Sequence, residues 1–282
     1  MATVITIANE KGGVGKTTTA VNLAAGLALK LEDPSDSPAK ILLVDMDPQG
    51  HALLAIGFGQ HNAPAGDSLA ALLTETPAPS VQRMLRRSIQ HPNLFFIPSN
   101  RPAMIQASQL LPTLMANENR LMRSLGPVLP HFDFIIIDTP PTTGDLLINA
   151  LVAATHVLIP VETSYLGVSG LRELQKTIEE VQIHFRPELK IVGYLPTLCD
   201  EQRSETQEIL NELQNRYPGQ VFAPIHKSAD LAYAHSSHTD VFTYRPPRQR
   251  SSGQLGSSSR ATQEYAQLVE AILGRTRQTV RV

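Results

Sequence analysis

The chain has 282 residues, of which 42% are hydrophobic and 18% are charged, and its formal net charge is −2. This composition supports a buried core and excludes global disorder. The single cysteine, Cys199, excludes an intramolecular disulfide framework and a paired-cysteine metal site within one chain. Because the net charge is small, any binding to DNA or acidic lipid must depend on a local patch.

Short apolar segments alternate with longer helical patterns along the chain. The segments predict strands at Thr3–Ala8, Ile41–Asp45, Leu94–Pro98, Phe134–Asp138, Val157–Val161, Ile191–Leu195 and Val221–Ile225. The patterns predict helices at Lys16–Lys30, Met104–Leu125, Leu166–Phe185, Ser204–Tyr217 and Thr262–Leu273. Continuous apolar strands are typical of a parallel sheet that is covered on both faces. We therefore predict one domain over residues 1–282, an α/β doubly wound, mostly parallel sheet with helices on both faces.

Two stretches interrupt this alternation. Asp33–Pro38 predicts a turn-rich surface loop. Gly57–Ser80 is rich in Gly, Ala and Pro, and we expect one short helix in it around Ser68–Leu73. The first residues carry no basic segment followed by a cleavage site, so no secretory signal is expected, and the one cysteine favours a reducing cytoplasm.

A glycine-rich loop, Asn9–Thr18, lies between the first predicted strand and the first predicted helix. Glycines allow successive N–H groups to point at an anion, and the helix N-terminus adds donors. Lys16 is expected to neutralise the β- and γ-phosphates, and Thr17 to bind Mg²⁺. A glycine-rich turn without chemical function is the alternative, but a GGVGKTT sequence directly after a strand favours a phosphate-binding loop.

Three aspartates lie at the ends of predicted strands. Asp45 and Asp47 are two residues apart, so in an extended segment both point to the same face. Asp138 ends another strand, and ligands of doubly wound sheets bind at the carboxyl ends of strands. Carboxylates placed there can hold Mg²⁺ or orient the attacking water. The alternative is that each aspartate only caps a neighbouring helix.

Three segments together resemble the ParA/MinD family of P-loop ATPases, whose Walker A box is deviant. They are Lys11–Thr18, which has lysine at both ends of the glycines, Leu43–Gly50, and the Walker B segment Phe134–Pro141. The order of the segments is that of the family, and the resemblance runs nearly end to end. It implies an ATP hydrolase that uses ATP and Mg²⁺ and forms a homodimer when ATP is bound.

The resemblance also implies a role for each residue. The nucleotide contacts would come from Lys11, Gly12, Gly13, Val14, Gly15, Lys16, Thr17 and Thr18. The metal site would consist of Thr17, Asp45 and the Walker B residue Asp138, while Asp47 would position the attacking water. The catalytic residues would be Lys11, Lys16 and Asp47.

Lys11 distinguishes this loop from an ordinary Walker A loop. In the family the corresponding lysine crosses the dimer interface and contacts phosphates on the other subunit, as an arginine finger does. A solvated surface lysine is the alternative. The proline-containing segment Asp138–Gly144 is expected to be a switch that reorders when a γ-phosphate is present, and a plain structural loop is the alternative.

The C-terminal part bears on what the ATP-bound state binds. ParA-like members bind DNA without sequence preference, and we predict phosphate contacts by Lys227, Arg245, Arg248, Arg250 and Arg260, with Arg203 as a weaker addition. An ordinary solvated basic loop is the alternative. MinD-like members insert a C-terminal amphipathic helix into membrane. Here the apolar stripe of the last helix predicts core packing instead, through Leu268, Val269, Ile272 and Leu273.

Three histidines, His226, His235 and His238, lack the helical spacing of a metal pair and are interpreted as surface or loop residues. The leading interpretation is a ParA-type partition or positioning ATPase. It would be cytoplasmic and nucleoid-associated, bind nonspecific DNA, and be stimulated by a ParB-like or cargo-adaptor protein. A MinD-like membrane-cycling regulator and a metabolic enzyme of the same superfamily are the alternatives. Among the latter, the nitrogenase iron protein is disfavoured because it needs two cysteines per subunit.

Overall fold

The structure is a computed structural model that describes residues 2–32, 38–56, 63–245 and 259–277. Its strands are β1 (Thr3–Ile7), β2 (Ile41–Asp45), β3 (Arg86–Arg87), β4 (Leu94–Phe96), β5 (Phe134–Asp138), β6 (His156–Glu162) and β7 (Lys190–Thr197). They form a seven-stranded sheet in the order β3-β4-β2-β5-β1-β6-β7. Within the described ranges, β3 is the one strand that pairs antiparallel, at the edge beside β4.

The helices fill the connections between these strands. They are α1 (Lys16–Lys30), α2 (His51–Ala55), α3 (Leu69–Thr74), α4 (Val81–Met84), α5 (Arg101–Leu110), α6 (Arg120–Leu125), α7 (Asp145–Ala153), α8 (Tyr165–Ser169), α9 (Leu171–His184), α10 (Ser204–Arg216), α11 (Ala229–Ser236) and α12 (Arg260–Arg277).

Both faces of the sheet are buried, which confirms the predicted fold class. Successive side chains of a strand point to opposite faces. In β5, Ile136 packs in a cluster with α1 and α12, whereas Ile135 and Ile137 pack with α3, α5, α6 and α7. All three isoleucines are completely buried. The apolar stripe of α12 lies in the first of these clusters, so the prediction of core packing for the last helix is confirmed.

The predicted strand Val221–Ile225 is wrong. This segment runs beside β7 but forms only one isolated bridge with it, between Val221 and Tyr194, and a second isolated bridge joins His226 to Cys199 just beyond the end of β7. The N–H groups of Phe222 and Ile225 donate to carbonyls of β7. Pro224 has no N–H to donate, so the ladder is interrupted. The seventh strand of the sheet is instead β3, whose two exposed arginines give no apolar signal.

Two predicted helices are each divided in the structure. Met104–Leu125 is not one helix, because α5 ends before a turn that contains Pro112, Ala116 adopts a positive φ of 50°, and α6 begins only at Arg120. Leu166–Phe185 is divided into α8 and α9 at Gly170.

Helix α7 was not predicted, although its place between β5 and β6 completes the alternation. It is buried over most of its surface, so its sequence has no polar face that would reveal a helical period. The short helices α2, α4 and α11 were also missed. By contrast, α1 has the predicted bounds, α10 ends one residue early, and the short helix expected around Ser68–Leu73 is α3.

Most of the predicted loop Asp33–Pro38 and the start of the Gly57–Ser80 stretch lie outside the described residues. No helix within the described ranges combines the length and the hydropathy that crossing a lipid bilayer requires.

Candidate nucleotide site

The glycine-rich loop follows the carboxyl end of β1, near the middle of the sheet. From β1 the chain passes through α1 to β2, with β5 between these two strands, whereas β6 and β7 lie on the other side of β1. The direction of winding therefore reverses beside β1. Ligands of doubly wound folds bind in the crevice at such a point.

The loop has the backbone of an anion cradle. Gly13 and Gly15 adopt positive φ angles of 76° and 85°, a conformation that residues with a Cβ rarely adopt. The N-cap of α1 is Gly15, which has no side chain to cap the helix, so within the described residues the first N–H groups of α1 remain available to an anion. Thr197, at the end of β7, fixes the loop from behind by donating its hydroxyl to the Val14 carbonyl at 2.9 Å.

A cleft of 330 Å³ opens in front of this loop. It brings together most of the predicted nucleotide contacts with the predicted water-positioning residue and with side chains from distant loops. The lining residues are Gly12, Gly13, Gly15, Lys16, Thr17, Thr18, Asp47, His51, Thr139, Pro141, Leu198 and His235. Val14, which was also predicted to contact the nucleotide, does not line the cleft, and its side chain is completely buried.

Lys16 lies at the base of the cleft and is 6% exposed. Its ammonium donates to the Lys11 carbonyl at 2.8 Å. Burial lowers the pKa of Lys16, and the nearby carboxylates of Asp138 and Asp47 oppose this shift. The ammonium is thus held inside the loop, close to acceptors that a polyphosphate could replace.

Asp138 is completely buried, and neither of its carboxylate oxygens has a well-formed hydrogen bond within the described residues, although the Thr17 hydroxyl and the Thr139 N–H lie close enough to lower its pKa. Burial raises its pKa to about 7, and Asp47 adds to the rise, while the Thr17 hydroxyl and the Lys16 ammonium oppose it. A buried polar group without a partner calls for an explanation. A carboxylate beside a threonine hydroxyl is the type of oxygen donor set that Mg²⁺ prefers, so these residues suit a magnesium ion.

Asp45 is placed differently from Asp138, although the two are neighbours in the β2–β5 register. Both of its oxygens are engaged by backbone groups. One accepts from the Asp47 N–H at 3.1 Å and the other from the Ala52 N–H at 2.9 Å. Burial, with Asp138 and Asp47 adding to it, raises the pKa of Asp45 well above its usual value. Asp45 therefore shapes the turn to α2, and its predicted metal role stays a prediction.

Asp47 lies half-buried at the rim of the cleft. One carboxylate oxygen accepts from the Gln49 N–H at 2.9 Å, which orients the side chain. The other oxygen accepts no hydrogen bond among those found in the described residues. Asp47 is thus oriented by the turn and still able to contact a water molecule in the cleft.

Lys11 does not line the cleft. Its ammonium forms an ion pair with Glu162 at the end of β6, and each side chain is about 30% exposed. The alternative of a freely solvated surface lysine does not describe the single chain, and the role of Lys11 across a dimer stays a prediction. Glu162 is a residue that the sequence did not single out, because the pair spans 151 residues of sequence.

A second, larger cavity of 510 Å³ adjoins the cleft and shares Gly15, Thr18, Leu198 and His235 with it. Its other walls are largely apolar and come from the segment after β7, from α11 and from α12. They are Thr197, Ile225, His226, Lys227, Ser228, Leu231, Ala232, Ser236 and Tyr265. No contiguous motif marks these residues, so this cavity could not be predicted from the sequence.

The predicted DNA contacts are only partly described, since Arg248 and Arg250 lie outside the described residues. Lys227 and Arg245 are exposed, and the Arg245 guanidinium donates to the carbonyls of Phe242 and Tyr244. Arg260 instead pairs with Glu201 at 2.6 Å and Glu264 at 2.7 Å.

Because two carboxylates balance its charge, Arg260 is a poorer candidate for a phosphate contact than the sequence suggested. Arg203 forms one ion pair, with Asp200 at 3.4 Å. These two pairings leave Lys227 and Arg245 as the stronger described candidates.

The three histidines lie on the surface or in a connecting segment, as predicted, although one of them is largely buried. His235 and His238 are exposed. His226 is only 14% exposed, and its ring nitrogens face Glu264 at 2.6 Å and Glu201 at 3.4 Å. It therefore belongs to a charged cluster with Arg260 rather than to the open surface. Among the described residues, no three His, Cys, Asp or Glu side chains are arranged so that they could hold a metal ion.

Comparisons with known proteins bear on the identity of this cleft. A family model described as an AAA domain matches residues 2–191. The chain is 39% identical over 226 residues to the chromosome partitioning protein ParA of Myxococcus xanthus strain DK1622, covering 79% of this chain and 74% of that protein. It is 35% identical over 247 residues to the sporulation initiation inhibitor protein Soj of Bacillus subtilis strain 168, covering 87% and 92%.

A solved structure matches almost the whole fold. Cobyrinic acid a,c-diamide synthase from Mycobacterium smegmatis, with bound ADP and magnesium, aligns with a TM-score of 0.76 and 28% identity. The alignment covers 99% of this chain and 97% of that one.

Proposed function

The chain belongs to the ParA/MinD family of P-loop ATPases, whose members hydrolyse ATP with Mg²⁺, and we propose that it is a ParA-type partition or positioning ATPase. In this proposal two ATP-bound copies form a dimer that binds DNA without sequence preference. A ParB-like or cargo-adaptor protein then stimulates hydrolysis. Residues 1–282 would form a single ATPase domain, associated with the nucleoid through the DNA.

The observation that carries the proposal is the combination of an uncapped helix N-terminus, a buried lysine and an unpartnered buried carboxylate in one crevice. The N–H groups of the loop would bind phosphate oxygens, and Lys16 would neutralise β- and γ-phosphate charge. Thr17 and Asp138 would hold Mg²⁺, which when bound neutralises negative charge on the phosphate oxygens. Asp47 would orient the attacking water or accept its proton.

The adjoining 510 Å³ cavity suits the nucleoside part of ATP. It opens from the phosphate-loop residues Gly15 and Thr18, and its walls include apolar side chains such as Leu231 and the ring of Tyr265. Nucleotide bases bind between apolar surfaces that carry a few polar groups. A triphosphate in the cleft would therefore place its sugar and base in this cavity.

The catalytic part of the proposal is tested with Lys11→Ala. The variant should bind ATP as tightly as the parent, because Lys11 lies outside the cleft of its own chain. Its stimulated turnover should fall on the order of 10³-fold if Lys11 acts across the dimer as an arginine finger does. Lys176→Ala, which removes an exposed lysine from α9, is the matched control. Unchanged stimulated turnover in Lys11→Ala would contradict the trans-acting role.

The DNA part is tested by measuring retention on DNA with ATP, with ADP and without nucleotide, over a salt series. The triple variant Arg245→Ala/Arg248→Ala/Arg250→Ala should dimerise but show a flatter salt dependence, by roughly 0.9 in the logarithmic slope per lost phosphate contact. Arg172→Ala, on α9 at the opposite face of the sheet from α12, is the control. If the triple variant kept the parent's slope, the DNA surface would have to lie elsewhere.

A further inference from the structure

The ion pair between Lys11 and Glu162 has a consequence for the dimer. On the basis of the proposed function, we propose that Glu162 is a positioning residue that holds Lys11 in the single chain and must release it before Lys11 reaches phosphates bound by a second copy. The pair lies within one chain, whereas the proposed action of Lys11 lies between chains. The two arrangements compete for the same ammonium group.

The backbone on the lysine side of this pair is fixed. The Lys11 N–H donates to the Asn9 side-chain oxygen at 2.9 Å, and the Asn9 amide donates to the Pro160 carbonyl at 2.7 Å. These two hydrogen bonds attach the start of the phosphate loop to β6. Glu162 is the last residue of the same strand. The backbone hydrogen bonds therefore fix the position of Lys11 relative to Glu162, so the ion pair does not depend on the two side chains alone.

The backbone on the glutamate side is fixed as well. Glu162 is in register with Thr197 of β7, and the Thr197 hydroxyl holds the Val14 carbonyl of the loop. Gly167 of α8 packs directly against Glu162, because a Cβ built on this glycine would lie 2.1 Å from the Glu162 carbonyl oxygen. Such contact demands glycine at position 167. The carboxylate therefore starts from a defined position beside the loop.

The pair is also partly shielded from water. Each side chain is about 30% exposed, so the attraction is screened less than between two fully solvated charges. A nucleotide triphosphate with several negative charges can still outcompete one carboxylate. The ion pair therefore keeps the Lys11 ammonium on Glu162 in the single chain, and it breaks when the phosphates of ATP bound by a second copy compete for that ammonium. In a symmetric dimer two such pairs must open, so their effects multiply.

The test compares Glu162→Gln with the parent by analytical ultracentrifugation with ATP and by unstimulated ATPase rates. If each pair contributes roughly threefold, the ATP-dependent dimer should form about tenfold more readily in the variant. The unstimulated rate should rise at protein concentrations where the parent is monomeric. Glu162→Asp keeps the charge but shortens the side chain, and should change both readouts in the same direction. Glu179→Gln, an exposed glutamate on α9, is the control for loss of one negative charge.

A double variant separates release of Lys11 from a general charge effect. In a Lys11→Ala background, Glu162→Gln should leave dimer formation unchanged, because there is no lysine to release. An equal gain with and without Lys11 would overturn the proposal, and so would weaker or unchanged dimerisation of Glu162→Gln. Failure of the proposed function gives a different result, since Lys11→Ala alone would then keep full stimulated turnover.

Discussion

Asp138→Asn should stabilise the nucleotide-free protein at alkaline pH while destroying its response to magnesium and ATP. The Asp138 carboxylate is buried without a hydrogen-bond partner among the described residues, and its pKa is raised from 3.8 to about 7. Between about pH 4 and pH 7 the unfolded chain therefore ionises this group while the folded chain keeps it protonated. Folding takes up a proton in this range, so stability falls as the pH rises.

The size of the effect follows from the pKa difference. At 1.36 kcal/mol per pKa unit, a rise from 3.8 to about 7 lowers the free energy of unfolding by about 4 kcal/mol once the pH exceeds the pKa of Asp138 in the folded protein. The negative charge of Asp47 adds to the rise, and the Asp45 carboxyl, whose own pKa is raised beside Asp138, titrates together with it, so we expect the neutral asparagine to recover roughly half of this free energy, about 2 kcal/mol. For a chain of this length, that corresponds to a melting temperature higher by roughly 4–8 °C at pH 8.

The assay is thermal unfolding of parent and variant at pH 5 and pH 8, with a chelator and without nucleotide. The unpaired amide of asparagine costs the same at both pH values, so it cancels from the pH-dependent difference. Asp67→Asn, which neutralises an exposed aspartate, is the control and should follow the parent. Magnesium and ATP should raise the melting temperature of the parent but hardly that of Asp138→Asn, since ligand binding stabilises only the state that binds. Parallel loss of stability with pH in parent and Asp138→Asn would refute this reasoning.

Three further substitutions test the loop, the core and the neighbouring carboxylate. Gly15→Ala should lose ATP affinity and about 1–2 kcal/mol of stability, because Gly15 has a φ of 85°, in a titration with a fluorescent ATP analogue and a thermal melt. Gly170→Ala, where φ is −76° and no atom lies within 4 Å of the added Cβ, should change neither. Ile272→Ala should lower the urea-unfolding free energy by about 3 kcal/mol because this side chain is completely buried, whereas Ile183→Ala, at 72% exposure, should stay within about 0.5 kcal/mol. Asp45→Asn should leave the Mg²⁺ concentration for half-maximal ATPase activity nearly unchanged, because both Asp45 oxygens are engaged by backbone N–H groups; a strong increase would instead support direct metal binding.

Local signals allowed the phosphate loop to be predicted from the sequence. Residues 11–18 are contiguous in sequence. Their glycines, lysines and threonines indicate phosphate binding when a strand precedes the loop and a helix follows it, and here β1 precedes the loop and α1 follows it. The parallel sheet was equally visible, because strands buried on both faces must be apolar throughout. Helix α7 and strand β3 were invisible for the opposite reasons: one is apolar all round, and the other consists of two exposed arginines.

What remained hidden depends on the register between distant segments. The sequence shows that Asp45 and Asp138 both follow apolar strands, but only the packing engages both oxygens of Asp45 and leaves those of Asp138 without a partner. Lys11 is recognisable from its loop, whereas its pairing with Glu162 requires β1 and β6 to lie side by side. The sequence shows which residues can carry a charge. Whether that charge is buried, paired or solvated depends on residues that are distant in sequence and become neighbours only in the tertiary structure.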